Sequence, residues 1–415
     1  MNTKSEVIVI GAGVVGLSAA YYLARAGHAV TVLEKTDGAD GCSFGNAGFI
    51  APSHFVPLAA PGIVAKGLRW MLNPESPFYI KPRFDLSLAR WGWQFMRHAT
   101  HKHVNASKKL LSDLTLLSLD LHKQFAGEQQ IPLHNSGIIM FCKTESCLAH
   151  EIELAAMAGE FGLQSEVMDL AQLQEYDPQL RHTGAGAVWF KDDAYMDPGM
   201  FMRQMHKAVA GLGVQVLTGR EVVGFEKTSS KITKVITNSG AYQADEVVLA
   251  TGSFSVPVLK LVGHKMLLEP GKGYSVDWHE ESKIPRASYI LVEARVAITP
   301  MGNFVRLAGT MELDGISLAV KPRRVAGFLK SIEAYLPDYK YAETKSLPVW
   351  AGLRPCSPDG LPYLGRDKKY RNLTIATGHA MVGFTLGPVT GKLVAEIVAG
   401  AQPTINIDQL AVDRY

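Results

Sequence analysis

The most constraining feature of the sequence lies near its start, where an apolar run passes into a glycine-rich turn. Residues 7–10 have the continuous apolar character of a buried parallel strand, and Gly11, Gly13 and Gly16 follow as G-x-G-x-x-G. The first glycine permits a tight turn, the second lets the backbone approach a pyrophosphate, and the third lets the next helix pack close to the strand. A helix over residues 14–26 then presents its N-terminus to the phosphates. The motif therefore predicts a dinucleotide-binding unit.

A second strand and an acidic residue complete this unit. Residues 29–33 predict the strand, and Glu34 closes it 23 residues after Gly11, where a carboxylate can bind both ribose hydroxyls. Glu34 would repel the 2′-phosphate of NADP, so FAD and NAD remain as candidates. Chance is a poor explanation, because strand, turn, helix, strand and acid all occur in register.

The same stretch has a competing interpretation as a signal peptide or a short membrane span. Residues 7–24 contain no charged side chain, which is what such segments require. However, Glu6 precedes the run, glycines interrupt it, and a second apolar strand ending in an acid follows at once. These features favour the dinucleotide unit, and no other stretch is expected to be long and apolar enough to span a bilayer.

Composition narrows the remaining classes. The 415 residues exceed the size at which single cores stop growing, so two domains are expected. A net charge of +3 and the lack of Lys/Arg runs argue against nucleic-acid partners. The four cysteines form no CxxC pair, which favours a reducing compartment. His98, His101 and His103 lack acidic or cysteine partners in the sequence, so no metal site is expected.

The pattern along the chain predicts an α/β (α+β) fold with discontinuous domains. Short β segments fill residues 213–252, and residues 373–400 predict a strand, a glycine turn and a long helix. We expect a Rossmann-like nucleotide domain from residues 1–54, about 198–257 and about 345–415. Residues of about 55–197 and 258–344 should form a mainly antiparallel β domain that binds the substrate.

Further motifs match one family. They are "CSFGNAG" from Cys42, "EPGKGYS" from Glu269, "LAGTME" from Leu307, "WAGLRPCSPDGLPYLG" from Trp350 and "TGHAMVGFTLGP" from Thr377. Over essentially its whole length the chain resembles the FAD-dependent amine and D-amino-acid oxidoreductases, which include D-amino-acid oxidase, glycine oxidase and sarcosine oxidase. The bacterial D-amino-acid dehydrogenases are the most similar. The motifs are specific for this superfamily and much less specific for the substrate.

The resemblance implies that the dinucleotide is FAD and that it stays bound in the Rossmann-like domain. The cysteine that links flavin covalently in the sarcosine oxidases corresponds to Gly352, so the FAD should be non-covalent. The lysine that those oxidases place in the C-terminal turn is missing from Ala380–Val382. The residues expected to bind FAD are Gly11, Gly13, Val14, Val15, Gly16, Glu34, Lys35, Ser43, Asn46, Ala47, Gly48, Val222, Thr251, Gly252, Gly352, Arg354, Met381, Val382, Gly383, Phe384 and Thr385.

Four residues are candidates for the chemistry. Arg354 matches the arginine that clamps the substrate carboxylate in the family, and its guanidinium fork suits a carboxylate; the alternative is a structural salt bridge. Tyr274 either lines the pocket or packs in the core. His379 either tunes the flavin or caps a strand end. His54, where the dehydrogenases tend to carry tyrosine, either reaches the pocket or lies on a surface loop.

The resemblance implies a flavoenzyme that dehydrogenates a D-amino acid and passes electrons to a quinone or another respiratory acceptor. The alternatives are a glycine- or sarcosine-oxidase-like enzyme that uses O2, and a non-catalytic FAD subunit of an amine dehydrogenase complex. Glycine oxidase carries a tyrosine at about Ala297, and the smaller alanine, with residues 309–311 as another wall, predicts neutral substrates larger than glycine. D-Proline or a D-hydroxyproline fits this expectation.

The expected location is the cytoplasm, either free or peripheral on the inner membrane. The segment from Gly67 to Leu72, with Phe78, Tyr79 and Trp91 nearby, combines basic and aromatic groups in the manner of an interfacial segment. The alternative is an aromatic cluster packed in the core.

Overall fold

The computed structural model describes residues 5–38, 41–71, 73 and 75–415. In this part of the chain the helices are α1 (Val14–Arg25), α2 (Ile63–Met71), α3 (Leu86–His98), α4 (His101–Gln129), α5 (Glu145–Gly159), α6 (Leu170–Tyr176), α7 (Pro198–Gly211), α8 (Ser255–Val262), α9 (Pro322–Tyr335), α10 (Tyr341–Thr344) and α11 (Gly383–Val398). The strands are β1 (Glu6–Ile10), β2 (Ala29–Leu33), β3 (Phe49–Ile50), β4 (Phe78–Ile80), β5 (Ile138–Cys142), β6 (Ser165–Met168), β7 (Gly186–Phe190), β8 (Ala194–Tyr195), β9 (Gln215–Leu217), β10 (Val222–Lys227), β11 (Ile232–Thr237), β12 (Gly240–Gln243), β13 (Glu246–Leu249), β14 (Glu269–Trp278), β15 (Ser288–Leu291), β16 (Val296–Pro300), β17 (Val305–Leu313), β18 (Val349–Cys356), β19 (Tyr363–Arg366) and β20 (Leu373–Thr377).

A six-stranded sheet in the order β19-β20-β13-β1-β2-β9 forms the nucleotide-binding half. Its strands are parallel except for β19, which pairs antiparallel with β20. β1 lies at the topological switch point of the sheet, because the chain adds β2 on one side of it and β13 on the other. In doubly wound sheets ligands bind at the carboxyl ends of the strands at such a point. The predicted βαβ unit is therefore confirmed and correctly placed.

Helices cover one face of this sheet, and close glycine contacts bring two of them together. α1, α4, α7 and α11 bury a common apolar core with β1. A Cβ atom added at Gly387 would lie 2.6 Å from Val14, and one at Gly391 would lie 2.4 Å from the backbone of Ser18. Only glycine allows α11 to approach α1 this closely. On the other face, α8 and the antiparallel sheet β10-β11-β12 bury a second core.

The second half is built on a larger mixed sheet in the order β18-β14-β17-β16-β15-β5-β7-β6, to which β4 adds beside β17. Most of its pairs are antiparallel, and the β15–β5 and β17–β4 pairs are parallel. Helix α9 packs on one face over a core that includes Tyr274, Tyr289 and Ile298. Because side chains alternate along a strand, the neighbouring residues in sequence point to the opposite face.

Two elements cross the domain limits expected from the sequence. β18, expected in the nucleotide domain, pairs with β14 in the larger sheet. α4, expected in the substrate domain, packs on α11 in the core of the nucleotide half. Both follow from contacts between segments distant in sequence, which local patterns do not encode.

From the sequence, no segment after the opening motif is expected to be both long enough and apolar enough to span a membrane. By length and hydropathy, that expectation was wrong. Within the described residues, the helical stretch Ala380–Val398 meets both criteria. About 61% of it is buried inside the protein, where α11 packs between α1 and α4. The apolar side chains of this helix thus pack in the protein core.

Candidate active site

The glycines of the opening motif create the close approaches that a pyrophosphate site requires. Gly11 has a φ of +103°, and a Cβ there would lie 2.7 Å from the carbonyl oxygen of Ala250. A Cβ at Gly16 would lie 1.9 Å from the carbonyl oxygen of Gly11, so the helix can approach the strand only without a side chain. Gly13 supplies no side-chain cap to α1, so the N–H groups of the first turn beyond Val14 remain available to an anion.

Ser43 and Glu34 frame this helix end. The Ser43 hydroxyl accepts the N–H of Val14 at 3.1 Å, and Glu34 Oε2 accepts the N–H of Ala12 at 2.9 Å. Glu34 Oε1 accepts both the N–H and the hydroxyl of Thr36. The carboxylate is thus fixed at the end of β2, where the sequence predicts contact with ribose.

The remaining residues that the sequence predicts to bind the nucleotide lie around the same sheet edge. One of them, Lys35, contacts an aromatic ring that the sequence did not predict. Lys35 follows Glu34, and its Nζ lies 3.1 Å from the ring centroid of Phe254, so its ammonium is engaged by an aromatic ring. Val222 is buried at the start of β10. The carboxyl edge of the six-stranded sheet carries Gly11, Gly13, Val14, Val15, Gly16, Glu34, Lys35, Thr251 and Gly252.

The loop of residues 43–48 connects the two halves. Arg306 Nη1 donates to the carbonyl oxygens of Phe44 and Asn46, each at 3.0 Å, while its other nitrogens pair with Asp277. Asn46 Oδ1 accepts the N–H of Gly48 at 2.8 Å, which closes a tight turn around Ala47. A salt bridge on the large sheet thereby holds the loop that leads from the nucleotide motif.

β18 passes directly beside this loop. The ring of Trp350 lies between Gly45 and Gly352, where added Cβ atoms would come within 2.2 and 2.1 Å of the ring. The N–H of Leu353 points at Cys42 Sγ, 3.3 Å away. Gly352, the position of the linking cysteine in sarcosine oxidases, therefore has no room for a side chain in this arrangement.

The start of α11 completes the site. Gly383 begins the helix without a side-chain cap, directly after the predicted flavin residues Met381 and Val382. The Thr385 hydroxyl donates to the carbonyl oxygen of Phe49 at 2.8 Å, which ties this turn to β3. Phe384 is buried beneath the turn, whereas Met381 is exposed. The free N–H groups and the positive helix end suit the electron-rich side of a flavin.

One face of the large sheet carries Arg354 among small side chains. Strand alternation places all of these residues opposite the core that α9 covers. The indole of Trp350 lies on the same face and covers Gly352, and the guanidinium of Arg354 covers Gly273. The members of this small-residue face are Gly271, Gly273, Ser275, Ala297, Ala308 and Gly352.

Arg354 lies on this face as an unpaired cation. Its Nη1 donates to the carbonyl oxygen of Thr310 at 2.9 Å, and a Cβ at Gly273 would collide with it at 1.9 Å. Burial lowers the pKa of the guanidinium, and no carboxylate in the described part of the chain pairs with it. A structural salt bridge, the alternative considered from sequence, is absent among these residues. The remaining donors are available to an anionic ligand.

Tyr274 does not share the face of Arg354, which corrects its assignment to the substrate. The tyrosine is 1% exposed, and its hydroxyl donates to Glu312 Oε1 at 2.7 Å and accepts the N–H of Lys321 at 3.1 Å. The period of two along β14 sends residue 274 into the core and residue 273 toward the site.

His379 and His54 have different environments. His379 is buried, with Nε2 hydrogen-bonded to Thr390 Oγ1 at 2.9 Å and its pKa lowered by burial to about 4. It therefore packs behind the turn and contacts α11, and neither of its two expected roles is tested by this hydrogen bond. His54 is surrounded by protein yet keeps accessible surface, and so does Arg354. His54 Nδ1 lies 3.1 Å from Ser53 Oγ, and the contact of His54 with a substrate pocket stays a prediction.

Sequence reasoning missed two residues, Asp193 and Ser118, and the backbone conformation of a third, Thr310. Thr310 has a φ of +68°, which is rare for a β-branched residue, and it lies where the β14–β17 register shifts. Asp193 holds Ser53 next to His54. Ser118 contacts the backbone of α11. Each contact depends on a partner far away in sequence, and no local motif marks Asp193 or Ser118.

The fold and the glycine turns define a flavin-binding oxidoreductase, and comparison agrees. Residues 6–397 match the family model of the FAD-dependent oxidoreductases, so the chain belongs to that family. FAD is therefore its cofactor, and the residues that would hold it are those around α1, the 43–48 loop and the start of α11. When bound, FAD supplies the acceptor for a hydride.

Known relatives narrow the comparison. The D-amino acid dehydrogenase of Granulibacter bethesdensis is 33% identical over 418 residues, covering 99% of both chains. That of Helicobacter pylori is 32% identical over 408 residues, covering 98% of this chain and 97% of the relative. Among solved structures, glycine oxidase from Geobacillus kaustophilus has a TM-score of 0.80 at 23% identity, with 99% of both chains covered. This last likeness shows the shared fold.

Proposed function

We propose that the protein dehydrogenates a neutral D-amino acid, with the substrate carboxylate bound by Arg354. The observation that carries this proposal is the unpaired, enclosed guanidinium on the small-residue face. A planar fork of donors recognises a carboxylate through two hydrogen bonds and fixes its orientation. The two D-amino acid dehydrogenases described above support the D-configuration.

The substrate is larger than glycine, and D-proline or a D-hydroxyproline is the preferred member. Ala297 is half-buried on the small-residue face, and its cross-strand neighbour is Ala308. Neither side chain fills the space in front of the sheet, which supports room for a side chain or a ring. A cyclic secondary amine also needs only one hydrogen-bond acceptor on its nitrogen side.

The electrons pass to a quinone at the cytoplasmic face of the inner membrane. The support is a solvent-facing apolar surface on α3 and the turn before it, which we call the α3 face. Leu86, Trp93 and Met96 are exposed on one side of α3, and Phe84 is exposed in the turn before it. α3 contains no acidic residue, and Arg97 stacks over Trp93 at 4.6 Å. Apolar side chains flanked by arginines suit an anionic lipid surface.

The segment first considered for membrane contact supports this less well. Trp91 is buried and donates to the carbonyl oxygen of Cys356 at 2.9 Å, so it belongs to the core. Phe78 and Tyr79 are half-buried. Leu72 lies outside the described residues. The α3 face therefore replaces that segment in the proposal.

Anaerobic mixing of the yellow holoenzyme with single amino acids tests the function. The panel contains D-alanine, D-proline, cis-4-hydroxy-D-proline, glycine, sarcosine and the L-isomers, and the readout is loss of flavin absorbance. We expect rapid reduction by D-compounds, slow reoxidation by O2 and fast reoxidation by a soluble quinone. Reduction by L-isomers or sarcosine alone would overturn the proposal, and fast reoxidation by O2 would indicate an oxidase. Acid should release the FAD into solution, since no covalent link is expected.

A further inference from the structure

We propose that His54, Ser53 and Asp193 form a proton relay that removes a proton from the substrate ammonium group before dehydrogenation. The inference rests on the proposed function, because it assumes an amino acid at the site. A hydride leaves Cα readily only when the adjacent nitrogen has a free lone pair. The protein must therefore provide a destination for the ammonium proton.

The relay is defined by three hydrogen bonds. Ser53 donates its N–H to Asp193 Oδ1 at 3.0 Å and its hydroxyl to Asp193 Oδ2 at 2.5 Å. His54 Nδ1 lies 3.1 Å from the same Ser53 oxygen. Because the hydroxyl proton is committed to the carboxylate, Ser53 Oγ accepts from Nδ1–H. The His54 tautomer is thereby fixed with Nε2 unprotonated, ready to accept a proton.

Strand pairing brings these residues together from distant parts of the chain. β3 pairs with β8, so the turn that follows β3 meets the loop that precedes β8. The turn is closed by the bond from His54 N–H to the carbonyl oxygen of Ala51, and Asp193 O accepts the N–H of Gly137. β3 is also bonded to Thr385 at the start of α11. The relay is thus attached to the element that forms the flavin side of the site.

A purely structural role explains only part of this arrangement. A carboxylate that accepts the Ser53 N–H would stabilise the turn by itself. It does not require the additional contact between the Ser53 hydroxyl and an imidazole. Nor does it explain why His54 keeps accessible surface although protein encloses it. Both features are expected if Nε2 faces a ligand.

The protonation states fit the proposed direction of transfer. Burial raises the pKa of Asp193 to about 7, and the neighbouring Asp192 acts in the same direction, opposed by the two bonds from Ser53. Burial lowers the pKa of His54 to about 4, and Arg295 adds to this. His54 is therefore neutral at pH 7 and passes a proton on rather than storing it. The Asp193 carboxylate is the final acceptor.

The transfer balances with one proton and no electrons. The substrate N–H bond breaks as His54 Nε2 gains the proton. The proton on Nδ1 moves to Ser53 Oγ, and the former hydroxyl proton of Ser53 moves to Asp193 Oδ2. The amine is left with its lone pair, and Asp193 becomes a neutral carboxylic acid.

The pH profile of flavin reduction tests the relay. Asp193 must be ionised to accept, so in the wild type the rate should fall as the pH drops through about 7. General-base contributions are about 10²- to 10⁴-fold, so Asp193→Asn and Ser53→Ala should lower the rate at pH 7.5 by at least about 10-fold and remove that limb. Ser53→Thr keeps a hydroxyl and should restore most of the rate. Asp192→Asn should keep the limb and shift it to lower pH.

A second readout separates the relay from the carboxylate site. Propionate lacks the amine, so its affinity, measured from the change in flavin absorbance, should be the same in the wild type, Asp193→Asn and Ser53→Ala. If the panel shows no reduction of the wild type by any D-amino acid, the proposed function fails. If reduction occurs but Asp193→Asn and Ser53→Ala keep the limb near pH 7 and stay within 2-fold of the wild-type rate, the relay is wrong. Should Asp193→Asn not fold, Ser53→Ala with its threonine counterpart decides the question.

Discussion

Arg354 derives its availability from the residues around it. Gly273 leaves the space that the guanidinium occupies, and Thr310 turns a carbonyl oxygen toward Nη1 through its left-handed backbone conformation. A non-glycine residue held at such a φ is strained by roughly 1–3 kcal/mol, which persists only where the surrounding structure enforces it. The strained residue, Thr310, is thus the one whose carbonyl oxygen orients Arg354, the proposed binder of the substrate carboxylate.

Removal of the fork should mainly affect substrate capture. Each charge-assisted hydrogen bond contributes about 1.5–3 kcal/mol, so loss of two in Arg354→Ala should lower kcat/KM by about 10²- to 10⁴-fold. Arg354→Lys keeps the positive charge but not the planar pair of donors, so its kcat/KM should lie between those of the wild type and Arg354→Ala. The measurement is steady-state kinetics with the preferred D-amino acid, together with the FAD content, which should be unchanged.

Arg371→Ala provides the matched control, because Arg371 is exposed and lies away from the small-residue face. Its kinetics should equal those of the wild type. If Arg354→Ala also retained full kcat/KM, the carboxylate would have to bind elsewhere, and the assignment of Arg354 would be abandoned.

At the scale of elements, the first turns of α11 depend on α4. Pro388 has no N–H, so the helix cannot form the hydrogen bond that this residue would otherwise donate. One residue further on, the Ser118 hydroxyl donates to the carbonyl oxygen of Thr385 at 2.5 Å and accepts the N–H of Val389 at 3.4 Å. A buried side chain thus bridges the interrupted helical ladder just below the flavin turn.

Ser118→Ala should destabilise the protein and weaken FAD binding. The substitution leaves buried backbone groups without this partner, which costs about 1–3 kcal/mol. We expect a lower urea midpoint for the apoprotein and a higher Kd for FAD, measured by quenching of flavin fluorescence. The matched control is Ser112→Ala in the same helix, because the buried Ser112 hydroxyl has no partner among the described residues. Equal effects of both substitutions would show that the bridge to α11 contributes nothing.

At the scale of the whole molecule, the α3 face is an exposed apolar surface within the described residues. Trp91 and Phe95 on the other side of α3 stack and hold the helix to the protein. The cluster around Trp91 includes Cys356 at the end of β18 and the adjoining Met311 and Ala380. A membrane contact at α3 would therefore lie next to the elements that carry Arg354 and the flavin turn.

The protein should bind vesicles that contain phosphatidylglycerol and detach from them at high salt. Two contributions favour binding at the α3 face: its apolar side chains insert into the lipid, and its arginines are attracted to anionic headgroups. Salt screens the electrostatic attraction. The double variant Leu86→Ser/Trp93→Ser should remain in the supernatant after vesicle sedimentation. Val223→Ser, at an exposed apolar residue of β10, is the control and should sediment as the wild type does. Wild-type protein that ignores anionic vesicles would refute the membrane proposal.

The sequence by itself determined the opening βαβ unit and the family. The spacing of Gly11, Gly13, Gly16 and Glu34 encodes strand, turn, helix and ribose acid within one short stretch, so local physics is sufficient there. Asp197 acts in the same local way: it accepts the N–H of Gly199 as the N-cap of α7, and Pro198 follows it at the start of the helix. Motifs of this kind survive in one sequence because each residue acts on its immediate neighbours.

Only the tertiary structure decided which side chains share a face and which partners they meet. A shift of one residue along β14 separates Tyr274, in the core, from Gly273, beside Arg354. Asp193 reaches Ser53 across 140 residues, and Ser118 reaches Thr385 across 267 residues. The lack of an acidic partner for Arg354 among the described residues and the burial that raises the pKa of Asp193 are properties of the packed molecule. No local pattern records them, because they depend on atoms contributed by the whole chain.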